Sequence, residues 1–116
     1  MTLRECYEII GGDYDAVYQR MMKKESLITK FTKKFLDDGS YKSLKDNLSA
    51  GNIEEAFRAA HTLKGVAQNL AFDPLYKPSS DLAEILRGGS TDGAEELMET
   101  ITEEYEKTVA AIRELD

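Results

Sequence analysis

Apolar residues in this chain recur three and four positions apart from one end to the other, and no stretch alternates polar and apolar between hairpin turns. Strands have no candidate segment, and the chain reads as all-α. The periodic stretches carry their own punctuation. Thr2 with Glu5 three residues on forms a capping box for a short first helix, which Gly11-Gly12 ends. Asp13 caps a second segment with Tyr14, Val17 and Met21 on one face, and Ile28, Phe31 and Phe35 repeat that spacing before Asp38-Gly39-Ser40. Tyr41, Leu44 and Leu48 mark another short helix, stopped by Gly51. Asn52 and Glu55 then supply an N-cap and its capping partner for the helix that follows.

In that helix, at about 100° per residue, Ala56, Ala60, Leu63, Ala67 and Leu70 gather within roughly 40° of one direction. The segment after Leu70 is the least regular. Asp73-Pro74 has the form of an N-cap with proline at the first helical position, but Pro78 would remove a backbone donor from a helix already running. A kink or loose turn is expected there, then a firm helix from about Ser79 to Arg87, with Leu75, Leu82, Ile85 and Leu86 facing inward. Gly88-Gly89 ends it, and Asp92 with Glu95 opens the last helix, whose seam is Met98, Ile101, Tyr105, Thr108, Ile112 and Leu115. Long apolar stripes joined by short polar connections predict an antiparallel up-down-up-down four-helix bundle, with the additional short N-terminal helices covering one end or side. A single domain over residues 1–116 is expected.

Composition narrows the functions open to such a bundle. A net charge of −7 disfavours nucleic acid and anionic membranes, both of which call for a basic face. No apolar run approaches the ~20 residues of a membrane span, and Met1 to Ile10 carry Glu5 and Glu8 where a secretory signal would be apolar. The cytoplasm is the expected compartment, and a monomer the expected state. Cys6 has no partner for an internal disulfide and falls in register with Leu3, Tyr7 and Ile10, as a buried packing residue would. One histidine, one distant cysteine and no His at i+4 give no zinc spacing, so no metal site is expected. The glycine pairs at 11-12 and 88-89 lack a preceding strand and are helix stops rather than phosphate loops.

His61, the only histidine, points roughly 140° away from the apolar stripe of its helix. Three requirements for carrying a phosphoryl group are met around it. Imidazole is a nitrogen nucleophile that stays substantially neutral near physiological pH. Lys64, one turn on, can offset the charge of an added phosphoryl group. Gly65 at i+4 clears side-chain bulk from a partner's approach; a mid-helix glycine costs roughly 0.5–1 kcal/mol relative to alanine, which invites a steric explanation. Gln68 at i+7 shares the face and can hydrogen-bond phosphoryl oxygens or the imidazole. Phe57 and Phe72 flank the strip if the helix runs that far. Each is a candidate for apolar contact with a partner, and each has packing in the core as its alternative.

The stretch His61-Thr62-Leu63-Lys64-Gly65-Val66-Ala67 closely resembles the signature of the histidine-containing phosphotransfer (HPt) domain, His-x-Leu-Lys-Gly followed by small residues. Gly51-Asn52, Gly11-Gly12-Asp13, Leu75 and Leu82 extend the resemblance over most of the chain, though only residues 59–67 are specific. The chain departs from the family at Ala71, where glycine is usual, at Ala83, where an acid commonly follows the leucine, and at Pro78. The resemblance implies a phosphorelay intermediate and carrier rather than a self-sufficient enzyme. His61 would take a phosphoryl group from a receiver-domain aspartate, or from a histidine kinase, and pass it to another receiver. The implied partners are response-regulator receiver domains and an upstream hybrid histidine kinase. No cofactor is expected on this chain, with Mg²⁺ expected on the partner receiver. A stand-alone carrier is expected rather than the first module of a chemotaxis-type kinase. The rival reading is an HPt-like helical adaptor that binds a receiver or kinase without turning over phosphate.

Overall fold

A computed structural model describes residues 1–116 and contains helices and no strand. α1 spans Leu3–Ile10, α2 Tyr14–Arg20, α3 Glu25–Lys34, α4 Ser40–Ser49, α5 Ile53–Asn69, α6 Asp73–Arg87 and α7 Ala94–Arg113, with a 3₁₀ turn at Phe35–Asp37 between α3 and α4. Thr2 Oγ1 accepts from the Glu5 amide at 3.1 Å while the Thr2 amide donates to Glu5 Oε1 at 3.0 Å, closing the capping box. These bonds hold the Glu5 carboxyl below its usual range. Asp13 caps α2 by accepting from the Ala16 amide at 3.0 Å.

Three caps differ from expectation. Asp73 is itself the first residue of α6, with Phe72 at the N-cap and no side chain capping that end. Asn52 precedes α5, but its side chain donates to Asn47 Oδ1, so the first turn of α5 has no side-chain cap and relies on Glu54 and Glu55 beside its free amides. Asp92 sits one residue too early to cap α7: Gly93, at φ 80°, intervenes, and the Asp92 amide is tied back to Ser90 Oγ.

The expected loose turn before Ser79 is corrected as well, because α6 is helical from Asp73 through to Arg87. Pro74 lies in the first turn, where amides have no helical partner, and Pro78 forfeits only the single bond to the Pro74 carbonyl. Starting at Asp73 keeps Leu75, Leu82 and Leu86 in one buried row, while Ile85 is only half buried.

One cluster of 27 buried apolar residues draws on every helix. The whole α5 stripe, Ala56, Ala60, Leu63, Ala67 and Leu70, lies within it, as does Cys6, whose thiol is pushed up by burial. Neighbours in sequence are neighbours in space: α4 packs on α5, α5 on α6, α6 on α7, and α1 crosses against α7. A chain of rings ties the N-terminal helices to this bundle. Tyr7 meets Phe72 at 5.6 Å, Phe72 meets Phe35 edge-on at 5.3 Å, and Phe35 meets Tyr105 at 5.8 Å.

Candidate functional site

The stripe that buries one side of α5 leaves the opposite side in solvent, and His61 stands on it exposed, with no hydrogen bond to any protein group. Measured by helical rotation, Gln68 lies about 20° and Lys64 about 60° to one side of His61, and Gly65 about 40° to the other. Gln68 is exposed and its side chain makes no internal hydrogen bond. Lys64 is half buried and its ammonium has no carboxylate partner, whereas Arg58, one turn upstream of Thr62, is held by Glu54 at 3.1 Å and Glu55 at 3.3 Å.

A Cβ placed on Gly65 would meet nothing within 4 Å. No neighbour inside the protein requires this glycine, although alanine would favour the helix. Gly12 is the contrast. There a Cβ would stand 2.8 Å from both the Ala71 carbonyl oxygen and Tyr7 Cδ2, so that glycine permits an internal approach.

The C-terminal end of α5 is held from outside the helix. Tyr7 donates its hydroxyl proton to the Leu70 carbonyl at 2.8 Å, and burial pushes that phenol well above its ordinary range. Arg20 donates to the carbonyls of Gln68 and of Asn69, the latter at 2.9 Å. Ala71 turns the chain with φ 58°, its amide bonding to the Gln68 carbonyl and the Phe72 amide to the Ala67 carbonyl, the paired pattern of a Schellman motif. Alanine thus takes at Ala71 the left-handed position that glycine ordinarily fills.

That turn corrects one predicted contact residue. Because the helix stops at Asn69, Phe72 does not continue the exposed flank; it is fully buried between Tyr7 and Phe35 and is closed to a partner. Phe57 does lie beside the site, half buried, its ring 6.0 Å from the His61 ring and 5.8 Å from the Arg87 guanidinium. Arg20 was not identifiable from the sequence. It lies 48 and 49 positions before Gln68 and Asn69, no motif links them, and only the fold brings it to the concavity it shares with Gly65, Gln68 and Asn69.

The arrangement offers one free nitrogen nucleophile, a lysine without a carboxylate partner, an amide side chain and an unobstructed stretch of helix, with the Arg20 guanidinium at its edge. No group of three or more His, Cys, Asp or Glu is placed to hold a metal ion. No helix is long and apolar enough to cross a membrane. No curated protein and no solved structure matches the chain. A family model described as the Hpt domain matches residues 38–113, a span that contains α4 to α7 and the whole face around His61.

Proposed function

Because the chain belongs to the Hpt domain family, whose members carry phosphoryl groups on histidine in phosphorelay signalling, we propose that His61 is the phosphoacceptor of a relay intermediate working between receiver domains. The observation that carries this reading is the exposed imidazole, free of any internal partner, one turn from a glycine that nothing inside the protein requires.

In the inward step one ring nitrogen attacks the phosphorus of the partner's aspartyl phosphate. The N–P bond forms, the P–O bond to the aspartate breaks, the carboxylate leaves with its electron pair, and the proton on the other ring nitrogen passes to solvent. The outward step reverses these changes onto a second receiver, the imidazole regaining a proton. Lys64 faces the transferred group and lowers the cost of placing an anion on a chain of net charge −7. Gln68 offers amide hydrogens to its oxygens, Gly65 admits the partner's reacting end, and Phe57 gives it an apolar contact. Mg²⁺ belongs to the receiver, and this chain acts as carrier rather than enzyme. An upstream hybrid histidine kinase would be the source of the phosphoryl group. We read residues 1–116 as one domain, supported by the single core, and α4 to α7 as an antiparallel up-down-up-down bundle, supported by the short turns at 50–52, 70–72 and 88–93.

A panel of phosphorylated receiver domains with Mg²⁺, tested on wild type and on His61→Gln, decides between carrier and adaptor. Label on the wild type alone is expected. Equal label on both, or none from any receiver, contradicts the carrier role. Lys64→Ala is expected to slow transfer about tenfold, the worth of one charge-assisted contact, with helicity by circular dichroism unchanged. A collapse of helicity would make the lysine structural.

A further inference from the structure

On a chain of net charge −7, residues 20–34 carry Arg20, Lys23, Lys24, Lys30, Lys33 and Lys34 against the single acid Glu25. All six basic side chains are exposed, and none forms a salt bridge. Elsewhere the basic residues are largely neutralised: Lys42, Arg58, Lys77, Arg87 and Lys107 each pair with a carboxylate three or four positions away on their own helix. The segment adjoins the candidate site. Arg20 shares a concavity with Gly65 and Gln68, and Phe31 and Lys34 line a cleft of about 200 Å³ with Val66, Asn69 and one acid, Asp38. It also lies before residue 38, outside the span matched to the family.

We propose that this edge of α2 and α3 is an electrostatic guide for the receiver partner, drawing its acidic, phosphoryl-bearing end toward His61 from the side opposite Lys64. The occupant follows from charge. The reacting end of an aspartyl phosphate donor is anionic, and the remainder of this protein, with twenty-one acids against nine basic side chains, repels it. An unneutralised basic edge beside the site supplies the attraction and biases the encounter toward the productive face. Its effect falls on the association rate, because exposed lysines in water contribute long-range field rather than tight contacts.

The inference rests on the relay reading, and the test separates the two. The probe is the receiver domain that labels the protein fastest in the panel above, or, if none labels it, the one that binds most tightly. Association is followed by stopped flow at low and high ionic strength for wild type, for Lys30→Glu/Lys33→Glu/Lys34→Glu, and for the Lys→Arg triple variant. The glutamate variant should associate about tenfold more slowly at low salt, the difference closing at about 0.5 M salt where screening shortens the field, with the dissociation rate within about twofold. The arginine variant should match wild type. Labelling by phosphoramidate, which needs no protein partner, should be equal in all three and reports only on His61. Failure of that labelling in wild type would sink the carrier role while the association rates still decide this proposal. An association rate unaffected by charge reversal overturns it. So does loss of binding to phosphatidylserine vesicles, by the same substitutions, with receiver association intact, which would assign the edge to a membrane surface.

Discussion

At the residue scale, single side chains separate what holds the site from what acts in it. Tyr7 and Gly65 make the clearest pair. Tyr7→Phe leaves the buried Leu70 carbonyl without its hydroxyl donor and is expected to cost about 1–2 kcal/mol in urea unfolding with little change in the exposed face. The same phenol sets an alkaline limit. Its ionisation is raised above the ordinary tyrosine value of 10.0 by burial, so the folded state keeps the proton that the unfolded chain releases. Its contribution is complete below that value and is lost as pH climbs above it. Wild type should therefore lose stability above about pH 10 more steeply than Tyr7→Phe, and equal slopes would contradict the assignment. Gly65→Ala should gain roughly 0.5–1 kcal/mol of stability, since a Cβ meets nothing there, whereas Gly65→Phe should keep the fold and lose receiver affinity. Unchanged affinity in the phenylalanine variant would remove the close-approach role. His61, Lys64, Gly65 and Gln68 were legible in the sequence because one helix fixes their relation through spacing alone. Arg20 and Tyr7 were not, because their partners are distant in sequence and only chain reversal brings them together.

Helix ends, at the element scale, are where sequence and structure part company. Interior periodicity located every helix, since burial of one face is a repeated signal. Caps rest on one or two residues and are easily displaced, as at Asn52 and Asp92. Pro78 illustrates the same difference: its cost depends on where the helix starts, and starting at Asp73 reduces it to one hydrogen bond. Phe72 was misplaced because the rotational count was carried past Asn69, and the left-handed Ala71 ends that count. Met22 repeats the motif at the end of α2. It has φ 56°, with its amide on the Gln19 carbonyl and the Lys23 amide on the Tyr18 carbonyl. Its side chain is 67% exposed, so little packing offsets the backbone strain. Met22→Gly is expected to stabilise the protein by about 1 kcal/mol, read from the denaturation midpoint. A destabilisation of that size would mean the left-handed turn is not the source of strain.

At the scale of the whole molecule, packing between helices fixes where α5 sits. α5 is packed on both α4 and α6, its far end is tied by Tyr7 and Arg20, and only its outer face remains for a visitor. Large exposed apolar side chains are few: Ile9, Met22 and Leu36. Sedimentation should accordingly give a mass near 13.0 kDa, and a stable dimer would require another face. As a carrier, the protein would hold the phosphoryl group covalently on the imidazole of His61. Since the chain has one histidine, ³¹P NMR after incubation with phosphoramidate tests it without assignment ambiguity. The expected result is one N-bound phosphorus resonance that is lost in acid, survives in base and is absent from His61→Gln. No such resonance in wild type, or one that persists in the glutamine variant, would contradict it.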